Sequence, residues 1–324
     1  MPREAVSAAV IAVVIPCYKV RDQILDVLAG IGDECGAVYV VDDACPEETG
    51  KHVEAQCRDP RVRVLRHSEN RGVGAATQTG YRQALSDGAE ILVKLDGDGQ
   101  MDPAQIPRLV RPILDARADY TKGNRFYDLD ALQQMPRSRL VGNAVLSLVS
   151  KLSTGYWGIL DPTNGFTALH ARVAERLPLP KISERFFFES DLLFRLNVLR
   201  AVVCDIPMTP RYGAEKSNLL IRRVIGEFLF KHFANTLKRI AYNYFLRNFS
   251  VASLEIAAGL PLLAFGGWIG VTRWLDSLVT GVPATPGTVM LAALPIVLGA
   301  QLLLAFLAHD VQDVPREPLH PRLD

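Results

Sequence analysis

Asp96, Asp98 and Gln100 alternate with Gly97 and Gly99 directly after a short apolar run, Leu92 to Leu95. Two carboxylates that close repel each other unless a cation or a proton lies between them. Carboxylate and amide oxygens suit a hard divalent ion such as Mg2+ or Mn2+, which takes few protein ligands when phosphate oxygens complete its shell. The two glycines remove side chains where a diphosphate must come close. LVKLDGDGQMDP, residues 92 to 103, therefore reads as a metal-diphosphate site at the C-terminal end of a strand, the edge where open α/β sheets bind ligands. The competing reading is an acidic, Gly-rich turn capping a helix that begins near Pro103. The short motif alone does not separate the two.

The flanking sequence supplies elements that place this stretch at a sheet edge. Residues 9 to 15 (AVIAVVI) are a β-branched run ending at Pro16, which predicts a buried parallel strand. Ile24, Leu25, Leu28 and Ile31 recur at helical spacing within 20 to 34, and Gly36 ends that helix. AVYVVDD, 37 to 43, is a second strand ending in Asp42 and Asp43. A helix over 46 to 57, a strand over 62 to 65, a helix opened by the turn 70 to 74, a strand over 91 to 95 and a helix over 103 to 117 follow. Strands alternating with helices imply right-handed crossovers and a mostly parallel sheet, with both acidic pairs on one edge. NRGVGAATQTG, around Gly72, has the look of a phosphate-cradling loop but lacks the GxGxxG spacing and a Walker lysine, and taken alone it is better read as helix-start packing.

Beyond residue 118 the alternation loosens. Arg125 is placed on a loop in KGNRF, and residues 137 to 152 read as a helix. DPTNGF, 161 to 166, is a turn before a second hydrophobic stretch. Residues 187 to 199 read as a helix with Glu189 and Asp191 at its start, where the helix dipole favours acids regardless of catalysis. A strand over 201 to 206 and a polar loop carrying Arg211 and Lys216 complete the region.

Residues 222 to 247 interleave Arg222, Arg223, Lys231, Lys238, Arg239 and Arg247 with six aromatic residues, the pattern of a helix lying on a membrane interface. Residues 256 to 272 are apolar and uncharged, long enough to span when 250 to 255 contribute. Residues 289 to 308 are twenty positions without a charge, which matches the hydrocarbon thickness at about 1.5 Å per residue. RWLDSLVTGVPATPG between them reads as a short loop. Basic residues precede the first span and follow the second, so the positive-inside rule puts the N-terminal part and both termini in the cytoplasm. Two buried helices of a soluble domain are the alternative.

The whole chain has 324 residues and a formal net charge of +1, which gives no case for nucleic-acid binding. Its five cysteines show no CxxC or zinc spacing, and their odd number fits reduced thiols in a cytosolic setting. The apolar run 8 to 15 is too short for a signal peptide and reads as the first strand.

VVIPCYKV, VVDDACP, NRGVGAATQTGY, LDGDGQMDP, GNRF, DPTNGF and RYGAEKSNL occur in the order seen in family 2 glycosyltransferases. The chain resembles the branch of dolichyl-phosphate mannose synthases and bacterial polyprenyl-phosphate glycosyltransferases, over roughly residues 9 to 220. That resemblance implies a GT-A catalytic domain over 1–220, a juxtamembrane amphipathic helix over 221–250, two transmembrane helices within 251–310 and a cytoplasmic tail over 311–324. By position it implies nucleotide contacts from Pro16, Tyr18, Asp42 and Asp43, with Gly72 and Asp96 also on the nucleotide sugar. It implies metal and diphosphate ligands at Asp96, Asp98 and Gln100. It further implies phosphate-holding cations at Arg125, Arg139, Arg211 and Lys216. Lys19-Val20 stand where the family often has Asn-Glu, so the identity of the base, GDP- or UDP-linked, is open.

The activity so implied is inverting, metal-dependent transfer from a nucleoside-diphosphate sugar to a polyprenyl phosphate, by a multi-pass protein of the cytoplasmic membrane. A second enzymatic reading transfers to a sugar hydroxyl, with Asp191 or Glu189 as base. A third is a non-catalytic membrane scaffold, against which the intact DGDGQ speaks. Homo-oligomer formation is left open.

Overall fold

The computed structural model describes residues 10–127, 137–208 and 221–323. Strands and helices alternate from the start: β1 (Ile11–Cys17), α1 (Ile24–Ala29), β2 (Cys35–Asp42), α2 (Thr49–Gln56), β3 (Val62–Arg66), α3 (Val73–Ser86), β4 (Ile91–Lys94) and α4 (Ile106–Leu114). β5 (Tyr120–Asn124), α5 (Arg137–Thr154), β6 (Thr167–His170), α6 (Ala171–Arg176), α7 (Phe188–Leu199) and β7 (Val203–Pro207) follow. The strands form one sheet in the order β3-β2-β1-β4-β6-β5-β7. All run in parallel except β6, which is antiparallel to both β4 and β5.

β1 is buried along its whole length, as its uninterrupted apolar run requires of a central parallel strand. Val13, Ile15, Val38, Val40, Val93 and Leu95 pack with Ile106, Leu109 and Ile113 of α4 in the main core. The register sets Cys17 beside Asp42 and Val14 beside Lys94. The acidic ends of β2 and β4 thus flank the end of β1 on one edge.

Two strands differ from the sequence expectation. TKGN belongs to β5, and Arg125 opens a single 3-10 turn after it instead of lying on an open loop. The stretch after DPTNGF is β6. Each is only a few residues long and interrupted by Lys, Gly or His, so neither shows a clear alternation.

Contacts divide the chain into two compact units. The first is Met1–Thr236 together with Pro315–Asp324, and the second is Leu237–Val314. α8 (Ile221–Ile240) runs into a π-helical stretch over Ala241–Arg247. The second unit then holds α9 (Val251–Thr280) and α10 (Pro286–Gln312), both long and apolar enough to cross a membrane. α9 continues through Arg273 and Asp276, which the sequence placed in a loop, and the turn is confined to 281–285. Glycines let the two helices approach: a Cβ at Gly299 would meet the backbone of Leu263 and Gly259. Arg239 binds both oxygens of Asp310 at 2.6 and 3.0 Å, and the Tyr244 hydroxyl donates to the same carboxylate.

Candidate active site

Asp96, Asp98 and Gln100 fall in the turn immediately after β4, as the sequence predicts. Gly99 has φ +75°, a backbone conformation that a side chain disfavours. The Gln100 N–H donates to Asp98 Oδ1 at 3.0 Å, which folds the turn back on itself. Asp96 Oδ1 accepts from Lys94 Nζ at 2.6 Å, and no hydrogen bond to Oδ2 occurs among the described residues. A Cβ on Gly165, in DPTNGF, would collide with Asp96 Oδ2 and Lys94 Nζ, so glycine keeps that oxygen clear of a side chain.

Lys94 is buried to 1% exposure, and Glu189 from the first turn of α7 lies 3.2 Å from its ammonium. Burial disfavours the ammonium, but Asp96 and Glu189 outweigh that and hold Lys94 protonated. Lys122 of β5 is equally buried and donates to the Asn164 carbonyl. Burial brings its pKa down to about 8 despite the nearby Glu189 and Asp161. Lys94 and Lys122 both pair in register with Thr167, so the two lysines and Thr167 form one row across the sheet. In the sequence Lys94 falls inside the apolar run 92 to 95. A lysine inside ILVKL was the signal that something anionic must meet it in the core.

The acids at the end of β2 organise loops. Asp42 accepts from the N–H of Cys45 and of Gly50. Asp43 accepts from the N–H of Arg71 and of Gly72 and bonds His67 Nδ1 at 2.7 Å. Gly72 has φ +104°, and a Cβ there would strike Glu184 and Arg185. Pro16 is buried within β1, whereas Tyr18 beyond it is 45% exposed. Lys19 takes φ +58° and donates its N–H to Cys45 Sγ, which fixes the chain just after Tyr18.

Asp191, a candidate base, is engaged inside the fold. It accepts from the Ser183 N–H at 2.8 Å and from Asn235 Nδ2 at 3.1 Å, and Arg195 lies 3.5 Å away. Through Ser183 it braces the segment that also binds Gln78 and Ala75 of α3. Arg125 makes a two-pronged pair with the buried Asp161 at 2.7 and 3.0 Å. Arg139 lies on α5 with its side chain outside the described residues, and Arg211 and Lys216 lie outside them altogether.

The donor set at the end of β4 is oxygen only, and among the described residues no group of three or more His, Cys, Asp or Glu is placed to hold a metal ion by itself. Two carboxylates and an amide fit a hard divalent ion whose remaining ligands come from a diphosphate. The structure corrects the expectation that Gly97 makes room for a diphosphate: a Cβ on Gly97 would press on Val20, Ile15 and Cys17, so this glycine serves core packing, whereas one on Gly99 would meet only Gln23 and Val27 at van der Waals distance.

A mostly parallel seven-stranded sheet with one antiparallel strand beside β4 is a GT-A-like fold. Residues 12–177 match the model of the glycosyl transferase family 2 domain, and the chain belongs to that family. It is 32% identical over 202 residues to the polyprenol monophosphomannose synthase of Mycolicibacterium smegmatis, covering 61% of this chain and 76% of that relative. It is 30% identical over 200 residues to the undecaprenyl-phosphate mannosyltransferase of Micrococcus luteus, covering 60% of this chain and 81% of the relative. Among solved structures, glucosyl-3-phosphoglycerate synthase from Mycobacterium tuberculosis, in complex with Mn2+, uridine diphosphate and phosphoglyceric acid, superposes with a TM-score of 0.53. Its identity is 19%, with 71% of this chain and 78% of that chain covered, and it shows the shared fold.

Proposed function

We propose that the chain transfers a sugar, with inversion, from a nucleoside-diphosphate sugar to a polyprenyl phosphate at the cytoplasmic face of a membrane. The observation that carries the choice of acceptor is the engagement of both candidate bases. Asp191 is bonded to Ser183 and Asn235, and Glu189 is paired with Lys94. A hydroxyl acceptor needs a positioned base to take its proton, whereas a lipid phosphate is already anionic at neutral pH. The names of the Mycolicibacterium and Micrococcus relatives, both acting on polyprenyl phosphates, support the same reading.

Asp96, Asp98 and Gln100 would hold Mg2+ or Mn2+, which supplies charge neutralisation to the leaving diphosphate. Tyr18, exposed at the end of β1, and the Gly72 loop fixed by Asp43 would seat the nucleotide. Arg125, kept in one orientation by Asp161, would bind acceptor or donor phosphate together with Arg139, Arg211 and Lys216. Catalysis on this reading is positioning and electrostatic stabilisation by fixed donors. α9 and α10 would anchor the protein as a two-helix hairpin, and the basic residues before it favour a cytoplasmic catalytic unit.

The full-length protein in detergent, given Mn2+, a short-chain polyprenyl phosphate and a panel of GDP- and UDP-sugars, tests this by mass spectrometry of the lipid product. A glycosyl-phosphate lipid is expected, and EDTA should abolish its formation reversibly. Transfer to lipid-linked sugar hydroxyls alone would overturn the acceptor, and full turnover in EDTA would overturn the metal.

A further inference from the structure

We infer that Lys94, held by Glu189, is a positioning residue that sets the Asp96 carboxylate for the divalent ion and its diphosphate. This rests on the reading of Asp96 and Asp98 as metal ligands. Lys94 Nζ meets Asp96 Oδ1 at 2.6 Å, Glu189 Oε1 at 3.2 Å and the Gly165 carbonyl at 3.4 Å. A lysine buried in the middle of a sheet is costly, and an apolar residue there would serve stability at least as well. Lys94 instead stands two residues before Asp96, with its ammonium on that carboxylate.

The geometry divides the labour between the two oxygens. Oδ1 is tied inward to Lys94, and Oδ2 faces the side that Gly165 leaves clear. The bond to Oδ1 fixes the carboxylate rotamer before any ion arrives. Glu189 is needed because an uncompensated ammonium at this distance would oppose a dication. Lys94 and Glu189 together are neutral, so Asp96 and Asp98 present two negative charges to the ion. Lys94 also grips the DPTNGF turn through Gly165, and Lys122 grips it through Asn164. The same turn carries Asp161, the partner of Arg125. Glu189 is thereby a counter-ion for Lys94, and its place at the start of α7 is explained without proton transfer.

The test removes the pair without changing net charge. The Lys94→Met/Glu189→Gln double variant of the full chain is titrated with Mn2+ in the presence of GDP or UDP, and free Mn2+ is read by electron paramagnetic resonance. Partners behind a metal ligand typically contribute about 10–100-fold to metal affinity, so a loss of at least about tenfold is expected. The Michaelis constant for the nucleotide sugar should rise with it, while that for polyprenyl phosphate stays within about twofold. A folded double variant with the parent's Mn2+ affinity overturns the inference. If a thermal melt shows that the double variant does not fold, Glu189→Gln alone decides. It leaves the cation beside Asp96 and should weaken Mn2+ binding at least as much. Unchanged Mn2+ affinity with abolished transfer in Glu189→Gln would make Glu189 a base and sink the proposal. Asp98→Ala separates the two readings. If it too retains Mn2+, the metal site itself is wrong; if only it loses Mn2+, the positioning role alone fails.

Discussion

The carboxylate of Asp119 accepts hydrogen bonds from the backbone N–H of His320, 201 positions later in the chain, and from His320 Nδ1, at 2.7 and 2.8 Å. The Leu319 and Val202 N–H groups donate to the same buried side chain. The His320 ring stacks on His170 with centroids 4.1 Å apart. The residues after Pro315 therefore belong to the catalytic unit, although the chain has passed through α9 and α10 to reach it.

Asp119→Ala would leave several buried N–H groups without an acceptor, at about 1–3 kcal/mol each. A loss of about 3 kcal/mol or more is expected in urea unfolding of the catalytic unit. A chain ending at Asn248 lacks the Leu319 and His320 donors and should be destabilised in the same direction. Equal unfolding midpoints for parent and Asp119→Ala would show that the terminal residues do not brace this unit.

His232 on α8 is buried between Ser153, whose hydroxyl is 2.7 Å from Nδ1, and the ring of Phe187. Burial lowers its pKa from 6.5 to about 4. Between those values the unfolded chain binds a proton that the native state does not. Stability from this residue is thus complete above pH 6.5 and falls as the pH drops toward 4. The loss is expected to reach about 3 kcal/mol at the bottom of that window. His170, lowered to about 4 by burial and by His320, acts in the same direction. Urea unfolding at pH 7.5 and pH 5 checks this, and His232→Gln should flatten the difference.

Gly165→Ala tests the clearance at Asp96. The added methyl would press on Asp96 Oδ2 and Lys94 Nζ while the strands around it stay intact. Transfer should fall by at least about tenfold, in the range typical for partners behind a metal ligand. Far-UV circular dichroism should be unchanged. Parent-like activity in a folded Gly165→Ala protein would mean that Oδ2 is not used.

The acceptor is tested by contrast. Asp191→Asn should keep most activity and cost about 1 kcal/mol of stability, because it weakens a structural hydrogen bond. Arg211→Ala and Lys216→Ala should each raise the Michaelis constant for polyprenyl phosphate about ten- to a hundredfold, the worth of one charge-assisted bond. Rates are measured against acceptor concentration on one preparation. A dead Asp191→Asn at saturating acceptor, with mild basic substitutions, would favour the hydroxyl acceptor.

The sequence by itself determined the parallel half of the sheet, the placing of Asp96 and Asp98 at a strand end and the two apolar helices. These follow from local signals: β-branched runs, helical spacing, alternating acids and glycines, and uninterrupted hydrophobicity. Tertiary structure alone decided what Lys94 meets, because Glu189 is brought to it by α7 from ninety-five positions away. It alone decided that the oxygens of Asp42, Asp43 and Asp191 hold loops, since backbone N–H partners leave no trace in residue type. It decided the antiparallel entry of β6 between β4 and β5, where four residues are too few to carry a period. The return of His320 to Asp119 is likewise a long-range choice, made where a buried carboxylate requires donors that its neighbours in sequence do not supply.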